Sequence, residues 1–196
     1  QMLSMVGFSM VFPFLPLYIN EIGVQTWGSV EFGSGMVFSS QAITMMISAP
    51  LWGAVADRYG RKLMLIRATL GGALLISLMG FAQSAEQLTL LRAIQGMVTG
   101  TIPAANALIA SSVTKEQSGE ALGLLQTGTW IGVAIGPLIG GVIGDIFGFR
   151  ESFWVTGGLL ALSGLSIILW VQEDFNPDGK IKRQSFFDTF RVLLRT

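Results

Sequence analysis

The sequence predicts an all-α membrane protein in which six helices span the bilayer. Three observations lead to this prediction: the composition is apolar, the charged residues are confined to a few groups, and the intervals between those groups match the thickness of a membrane. Of the 196 residues, 51% are hydrophobic and only 12% are charged. Soluble domains carry about 25% charged residues, so this chain has too little charge to cover a surface that faces water.

Six stretches of the sequence contain no Asp, Glu, Lys or Arg. They cover residues 1–20, 32–56, 68–85, 93–114, 121–144 and 152–172. Each is about 18–25 residues long, the length of helix that crosses about 30 Å of hydrocarbon. Helices are predicted because every backbone N–H and C=O group in lipid needs a partner within its own segment. The predicted spans are residues 1–20, 34–56, 63–83, 88–113, 119–146 and 152–172.

The basic residues predict how the spans are oriented. Ten Lys and Arg residues lie in the gaps after the second and fourth spans and in the tail after the sixth, whereas the three alternate gaps hold only Arg150. Loops rich in Lys and Arg stay in the cytoplasm. We therefore expect a multi-pass protein of the cell membrane (plasma or inner membrane), with the loops after helices 2, 4 and 6 on the cytoplasmic side.

Residues 173–196 are predicted to form a cytoplasmic central loop that contains an amphipathic helix. An Asn-Pro-Asp-Gly turn at 176–179 precedes apolar residues at helical spacing, with arginines between them. Such a helix lies in the membrane interface. The alternative is that this segment leads directly into a seventh span. The apolar residues are Phe186, Phe187, Phe190, Leu193 and Leu194, and the arginines are Arg183, Arg191 and Arg195.

Several classes of function are disfavoured by what the sequence lacks. The chain has no cysteine and no histidine, and its formal net charge is zero. Thiol chemistry and the commonest metal ligand are therefore missing, and no excess of positive charge favours a nucleic-acid partner. No glycine-rich stretch ends in Gly-Lys-Ser or Gly-Lys-Thr, the signature of a nucleotide-phosphate loop. We expect a protein that is not an enzyme, uses no cofactor or metal, and draws its energy from an ion gradient.

The loop after the second span reads Gly-Ala-Val-Ala-Asp-Arg-Tyr-Gly-Arg-Lys at 53–62. Its glycines permit a tight turn, and its aspartate is placed to meet a basic partner or a helix N-terminus. An ordinary basic loop is the alternative. The string resembles the signature that the major facilitator superfamily carries between its second and third helices. The matching residues are Gly53, Asp57, Arg58, Gly60, Arg61 and Lys62.

That resemblance implies a conformational latch. In the superfamily this motif holds the two halves of the transporter together in the outward-facing state, which implies that role for Asp57 and Arg58. The basic residues of the motif are predicted to pair with Glu116 or Glu120 in the next cytoplasmic loop.

The fourth span contains a charged residue, Arg92, near its start. A charge at membrane depth costs roughly 2.5–3.5 kcal/mol on insertion scales, so it usually has a partner or a task. The alternative is that Arg92 lies at the outer interface and extends to water. Arg92, Gln95 and Gly96 match the fourth-helix motif of the superfamily, which implies a part in proton coupling; Gln95 is placed to hydrogen-bond the same groups as Arg92.

The fifth span carries a glycine every four residues from Gly128 to Gly144. Such a face lets another helix approach closely, and Pro137 is expected to bend the helix. A packing face is one interpretation of this pattern. The span also resembles the antiporter motif of the superfamily, which implies export rather than uptake. The matching residues are Gly123, Gly132, Gly136, Pro137, Gly140 and Gly141.

The first span is similar to the first-helix motif of twelve-helix drug–proton antiporters. The similarity rests on Val6-Gly7 and on Pro13-Phe14-Leu15-Pro16, with Val6 in place of a leucine. Two prolines three residues apart imply local bending, which is tolerated where a helix lines a cavity. Four motifs thus match in the right order over nearly the whole chain. The resemblance implies the N-terminal six-helix half-bundle of a major facilitator fold, built from two inverted three-helix repeats, with a C-terminal six-helix half of the same protein as its partner.

The proton-binding group is not identified by the sequence. None of the six charge-free stretches contains a carboxylate, and Asp57, Glu120 and Asp145 fall at helix ends or loops. Glu21 and Glu31 flank the first outer loop. The site therefore belongs either to the other half of the transporter or, in a shallower position, to Asp145 or Glu21.

The substrate site is expected near the membrane midplane, between the halves of the transporter. The polar and aromatic residues at suitable depth are Phe12, Gln41, Asn106, Gln126 and Trp130. Each of these is equally compatible with a contact between helices. An apolar cavity with few polar groups fits lipophilic compounds, cations among them, with loose selectivity.

The functional prediction is a secondary active transporter that exports lipophilic small molecules or drugs in exchange for protons, by alternating access within the lipid bilayer. One alternative is a substrate-specific symporter of the same fold. The other is a membrane receptor that kept the scaffold without transporting.

Overall fold

The computed structural model of the chain describes residues 1–25 and 28–173. This part of the chain is all α-helix, as predicted, with no strand among the described residues. The predicted turn at 176–179 and the amphipathic helix at 186–195 lie outside them. The helices are α1 (Met2–Met10), α2 (Leu15–Ile22), α3 (Val30–Tyr59), α4 (Arg61–Met79), α5 (Ala85–Val98), α6 (Thr101–Ser112), α7 (Ser118–Phe147) and α8 (Phe149–Trp170).

These eight helices make six spans, because α1 and α2 together form the first span, and α5 and α6 the fourth. Five of the spans are long and apolar enough to cross a membrane. The exception is α3, which is 30 residues long but carries small polar side chains such as Ser40, Gln41, Thr44 and Ser48 along its middle. Its length and its lack of charge between residues 32 and 56 still match a spanning helix.

The first span is broken where its two prolines predict a bend. Helix α1 ends at Met10 and α2 begins at Leu15. Pro13 lies in the turn between them, and Pro16 occupies the first turn of α2. Backbone N–H groups in the first turn have no intrahelical partner, so proline, which lacks the N–H, costs no hydrogen bond there. The hydroxyl of Tyr18 then donates to the carbonyls of Met79, at 3.2 Å, and Ala82, at 3.1 Å, which fixes α2 against the end of α4.

The fourth span is broken as well, which the sequence analysis did not predict. Helix α5 ends at Val98 and α6 begins at Thr101, and between them Gly100 has φ of 142°. The cause lies at Pro103, whose ring would clash with the carbonyl of Thr99 in a continuous helix. Pro137 has a different outcome, because α7 continues through it as a single helix from Ser118 to Phe147.

The spans pack in three pairs: the first with the fifth (α1 with α7), the second with the fourth (α3 with α5), and the third with the sixth (α4 with α8). If span 1 is exchanged with span 4, span 2 with span 5 and span 3 with span 6, the same three contacting pairs are obtained. The two broken spans, the first and the fourth, also exchange with each other. This symmetry supports the predicted construction from two three-helix repeats.

The core of the bundle lies where α4 and α8 meet the first span. Tyr18, Ile76, Phe153 and Leu160 are almost fully buried there, and the ring of Phe153 lies 5.0 Å from that of Tyr18 and 5.4 Å, edge-on, from that of Phe14. Interdigitated aromatic and aliphatic side chains make this side of the bundle rigid. The cavity described below lies on the other side of the first span, toward α3, α5, α6 and α7.

Candidate functional site

A cavity of about 230 Å³ opens between the two broken spans. Phe12, from the break in the first span, lines one side, and Thr99 to Ile102, from the break in the fourth, line another. Non-helical backbone at membrane depth is tolerated only where it is buried or borders a cavity, so the breaks and the cavity explain each other. The walls are completed by Met5, Phe8, Ser9, Gln41, Met45, Arg92 and Val133.

Two of the five residues predicted to line a substrate site, Phe12 and Gln41, lie in this cavity. Asn106, Gln126 and Trp130 do not. The amide nitrogen of Gln126 donates to the side-chain oxygen of Asn106 at 3.3 Å, a hydrogen bond that links α7 to α6. For these two residues the structure shows the alternative interpretation, a contact between helices. Trp130 is 67% exposed on the outer surface of α7.

Among the described residues, Arg92 is the only ionisable one in the cavity wall. Its side chain is 2% exposed, and that of Gln95 is fully buried. The alternative that Arg92 reaches water at the outer interface is therefore wrong. Its Nη1 donates to the side-chain oxygen of Gln41 at 2.8 Å and to that of Gln95 at 3.1 Å. Two neutral amides thus orient the guanidinium without neutralising its charge.

Carboxylates are missing around this arginine. Among the described residues, no Asp or Glu forms an ion pair or hydrogen bond with Arg92, and its Nε and Nη2 have no hydrogen-bond partner. Asp145 and Glu21, considered above as shallow proton-binding groups, are exposed near the ends of α7 and α2. An unpaired buried charge is costly, so this cluster is incomplete in the part of the chain described.

Gly96 explains how Gln41 comes to lie beside Arg92. A Cβ at this position would overlap the carbonyl of Gln41 and the hydroxyl of Thr44 on α3. The missing side chain therefore lets α5 approach the backbone of α3. The hydroxyl of Ser48, one turn further along α3, donates to the Gly96 carbonyl at 3.3 Å. The predicted fourth-helix motif is thus one assembly, in which glycine sets the helix spacing and the two polar residues meet.

The glycine stripe of the fifth span packs against the first span. A Cβ on Gly132, Gly136 or Gly140 would overlap backbone atoms of α1. Ser9 reinforces this contact, because its hydroxyl donates to the carbonyl of Gly132 at 3.1 Å. Gly123 and Gly141, which belong to the same predicted motif, have no atom within 4 Å of an added Cβ. The residues of one motif therefore lie on two different faces of α7.

The first cytoplasmic loop of the sequence prediction is reduced to one residue. Helix α3 ends at Tyr59, α4 begins at Arg61, and the buried Gly60 between them has φ of 95°, a conformation that favours glycine. Asp57 and Arg58 are exposed on the last turn of α3, and Gly53, further back on the same helix, has open space around it.

The start of α4, at the half-buried Arg61 and Lys62, is held in place by a carboxylate that was not predicted from the sequence. Their backbone N–H groups donate to the two carboxylate oxygens of Glu173, each at 2.8 Å. The side chains donate to the carbonyls of Ala107, at 3.1 Å, and Ile168, at 3.2 Å. A carboxylate at a helix N-terminus satisfies free N–H groups and the helix dipole together, so Glu173 ties the end of α8 to the start of α4.

The predicted pairing of this motif with Glu116 or Glu120 is wrong for the described structure. Neither carboxylate forms an ion pair with the loop. A hydrogen bond from its own backbone and another from the side chain of Thr114 lower the pKa of the fully exposed Glu116. Glu173 had one signal in the sequence: it is the first charge after the sixth stretch, on the same predicted side of the membrane as Arg61.

A second cavity, of about 210 Å³, lies between α3, α4 and α6 close to this loop. Arg61 and Arg67 both line it. The guanidinium of Arg67 stacks on the ring of Trp52, 3.4 Å from its centroid, and the indole N–H of Trp52 donates to the carbonyl of Met97. Stacking of this kind holds a cation against an apolar wall.

The profile of the Major Facilitator Superfamily matches residues 1–196 of the sequence. The chain belongs to this superfamily. The family resemblance and the six-span helical fold predicted from the sequence are thereby confirmed. Membership also identifies the chain as part of a multi-pass membrane protein of a transporter family.

Among curated proteins, the chain is similar to several named multidrug resistance protein MdtG. It is 45% identical over 191 residues to the one from Proteus mirabilis, a match that covers 97% of this chain and 48% of that protein. The match to the protein from Serratia proteamaculans is 46% identical and covers 91% of this chain and 43% of that protein. The chain therefore spans about half the length of the curated relatives it matches.

Proposed function

We propose that this chain is the N-terminal half of an exporter that moves lipophilic small molecules or drugs across the cell membrane in exchange for protons. The observation that carries the proposal is the cavity between the two broken spans, with a buried, unpaired arginine in its wall. Transporters place their sites where interrupted helices from two repeats meet. The name that the relatives share, multidrug resistance protein, supports export of drugs.

The proposed mechanism is alternating access, in which this half and a C-terminal half rock about the central cavity. We assign the latch of one closed state to Asp57 and Arg58, because both are exposed and neither forms an ion pair among the described residues; the guanidinium of Arg58 lies over the ring of its neighbour Tyr59, 5.3 Å from the centroid. Arg61 and Lys62 would contribute by holding the start of α4 in place. The loops after spans two, four and six would face the cytoplasm, as the distribution of basic residues predicts.

Proton coupling is assigned to Arg92 with Gln95 and Gly96, acting on a carboxylate elsewhere in the protein. No carboxylate lies within the described spans at the depth of Arg92, and Asp145 and Glu21 are too exposed and too near the helix ends to serve. The proton-binding carboxylate therefore belongs to the C-terminal half. The protein would need lipid, protons and its substrate, and no cofactor, metal, nucleic acid or enzymatic step.

The glycine motif of α7 favours export over a symporter of the same fold. Gly132, Gly136, Pro137 and Gly140 are in register with the antiporter motif, and the three glycines form a tight contact with α1. A tight, smooth helix contact seals the bundle while the halves move. A non-transporting receptor on this scaffold would have no use for an exposed latch and a sealed helix pair together.

The experiment uses the full-length protein in everted membrane vesicles with a dye that reports interior pH. Lipophilic compounds are added one at a time to wild type, to Asp57→Asn and to Arg92→Ala. Wild type is expected to release protons from the vesicles on addition of substrate, and each variant to lose at least about tenfold in rate, since each removes a group that the coupled cycle requires. Equal insertion of all three proteins is checked by immunoblotting.

Two results would contradict the proposal. Proton release that is unchanged in Arg92→Ala would remove this arginine from coupling. The absence of proton movement with every compound, despite correct insertion of wild type, would favour a specific carrier or a receptor.

A further inference from the structure

The second cavity, between α3, α4 and α6, is lined by two arginines and by no carboxylate of the described chain. Nε and Nη1 of Arg67 are buried without a hydrogen-bond partner, and the remaining nitrogen, Nη2, keeps accessible surface. A cation that is partly withdrawn from water favours an anionic partner. Among the described residues, no such partner contacts Arg67.

Trp52 holds the guanidinium of Arg67 in place without neutralising it. The guanidinium lies over the indole ring, 3.4 Å from its centroid, and the indole N–H donates to the carbonyl of Met97. Stacking occupies one face of the guanidinium, whereas phosphate and carboxylate groups bind to N–H groups in its plane. The stack therefore presents an oriented cation to the cavity.

Arg61 is the second cation of the cavity. Its Nη1 donates to the carbonyl of Ala107 at 3.1 Å, which fixes the side chain and leaves its charge uncompensated. The carboxylate of Glu173 binds the backbone N–H of Arg61 rather than its guanidinium. Because two charges of one sign in one cavity repel each other, an anion between them stabilises both arginines.

The depth of the cavity indicates the source of the anion. Arg61 is the first residue of α4, and Arg67 lies six residues further on, which is about 9 Å along the helix. Each headgroup layer of a bilayer is about 5–8 Å thick, so with the start of α4 at the membrane surface the two arginines lie at the level of phospholipid phosphates. In the proposed orientation this is the cytoplasmic leaflet, whose anionic lipids bind in basic pockets between spanning helices.

The mouth of the cavity suits an amphiphilic occupant. The exposed lining residues, Ala49, Gly53 and Pro103, belong to α3 and α6, so the cavity opens between these helices. Small and apolar residues at the mouth accommodate an acyl chain and offer nothing to a second polar group. Residues 174–196 carry five Lys or Arg and three Asp, so the net charge of this segment does not complement the cavity.

We propose that the second cavity is a binding site for an anionic phospholipid of the cytoplasmic leaflet. The phosphate lies between Arg67 and Arg61, and the acyl chains leave the cavity between α3 and α6. The site depends on the proposed orientation of the chain and not on export. It is distinct from the central cavity, with which it shares only Met45, Thr99 and Gly100. A carboxylate of the C-terminal half seated on Arg67 is the competing occupant.

The test measures lipid binding by the full-length protein, purified in detergent without added lipid. Native mass spectrometry follows titrations with dioleoyl phosphatidylglycerol and with dioleoyl phosphatidylcholine, which has the same chains and phosphate but adds a choline cation. Wild type is expected to bind the first phosphatidylglycerol at least about tenfold more tightly, the increment of one hydrogen bond between charged groups. Inorganic phosphate at the same concentration is expected not to displace it, because it lacks the chains.

Matched variants locate the site. Arg67→Gln is expected to remove the preference for phosphatidylglycerol, because the amide carries no charge. Trp52→Leu keeps both arginines but removes the stack, so its preference is expected to be about two- to fivefold smaller than that of wild type, the contribution of a partly exposed cation–π contact. Lys115→Gln is the control, because it removes a positive charge from an exposed loop residue outside the cavity. It is expected to keep the full preference, and thermal unfolding in detergent checks that each variant is folded.

The outcomes are distinct. Equal binding of the two lipids by wild type would overturn the inference and would favour a carboxylate of the C-terminal half as the partner of Arg67. An unchanged preference in folded Arg67→Gln, or an equal loss in Lys115→Gln, would also overturn it, since the attraction would then lie elsewhere or be diffuse. Displacement by an equal concentration of inorganic phosphate would make this a site for soluble anions. None of these measurements involves transport, so failure of the proposed export would leave the lipid site standing, and the reverse.

Discussion

The two faces of α7 pack very differently, although both carry glycines of the same motif. On one face, Gly132, Gly136 and Gly140 meet the backbone of α1 so closely that even a methyl group would overlap it. On the other, Gly123 and Gly141 have open space around them, and large apolar residues such as Trp130 and Leu138 are exposed. Both sets of glycines belong to the motif that resembles the antiporter signature.

This difference teaches that one motif serves two purposes. The inner glycines are needed for the half-bundle itself, because they set the distance between the first and fifth spans. A Cβ on either outer glycine would meet no atom in the described chain, and we expect these two glycines to serve the surface that meets the C-terminal half or lipid. The two sets are therefore expected to respond differently to substitution, in stability on one face and in transport on the other.

The largest effect is expected at Gly140. Its added Cβ would lie 2.8 Å from the carbonyl carbon of Met10 and 2.9 Å from the Cα of Met10, and backbone atoms move less easily than side chains. Gly140→Ala should lower the free energy of unfolding by about 1–3 kcal/mol, as expected for overpacking. Thermal unfolding of the purified protein in detergent measures the change. A melting temperature equal to that of wild type would show that α1 and α7 are further apart than described.

A smaller effect is expected at Ser9 on the facing helix. Its hydroxyl donates to the carbonyl of Gly132 at 3.1 Å, and also to the carbonyl of Met5 within its own helix at 2.7 Å. Ser9→Ala should lower the free energy of unfolding by about 0.6 kcal/mol, the average for hydrogen bonds between membrane helices. The same unfolding assay applies. A loss as large as that of Gly140→Ala would mean that the hydrogen bond, rather than close packing, holds the pair.

The smallest effect on stability is expected at Gly141, the neighbour of Gly140 on the open face. Gly141→Ala places a methyl group in open space and replaces glycine within a helix, so stability should be unchanged or should rise by up to about 1 kcal/mol. Gly141→Leu sharpens the comparison, because it should keep the melting temperature while reducing proton-coupled export in vesicles. Unfolding of Gly141→Ala would erase the distinction between the two faces.

Most of the fold was predictable because charge is excluded from lipid. The six uncharged stretches indicated the six spans, and Pro13 and Pro16 indicated the break in the first of them. The break in the fourth span was missed, although Pro103 carried the same signal. The fourth-span motif suggested one continuous helix, in which the ring of Pro103 would clash with the carbonyl of Thr99.

The site was predictable where it depends on helical periodicity and not where it depends on contacts between distant segments. Gln95 lies three residues from Arg92, so helix geometry placed the two side chains together, although the prediction was of shared partners and not of the direct hydrogen bond that forms. The contact of Gln41 with the same arginine joins residues 51 positions apart, and no pattern in one sequence indicates it. Glu173 was not predictable for a further reason: it binds backbone N–H groups of Arg61 and Lys62, whereas the charges in the sequence indicate only partners for side chains.

The polar middle of α3 has a consequence for how the protein enters the membrane. Helices are inserted according to their own apolarity as they leave the ribosome, and α3 is the one span whose composition falls short of the other five. Ser40 and Ser48 donate within α3, to the carbonyls of Val37 and Met45, and also to the carbonyls of Thr89 and Gly96 on α5. Helix α5 is synthesised later. Helix α3 therefore enters the bilayer before its partner exists, and its retention there during biosynthesis depends on the neighbouring spans and on the translocation machinery.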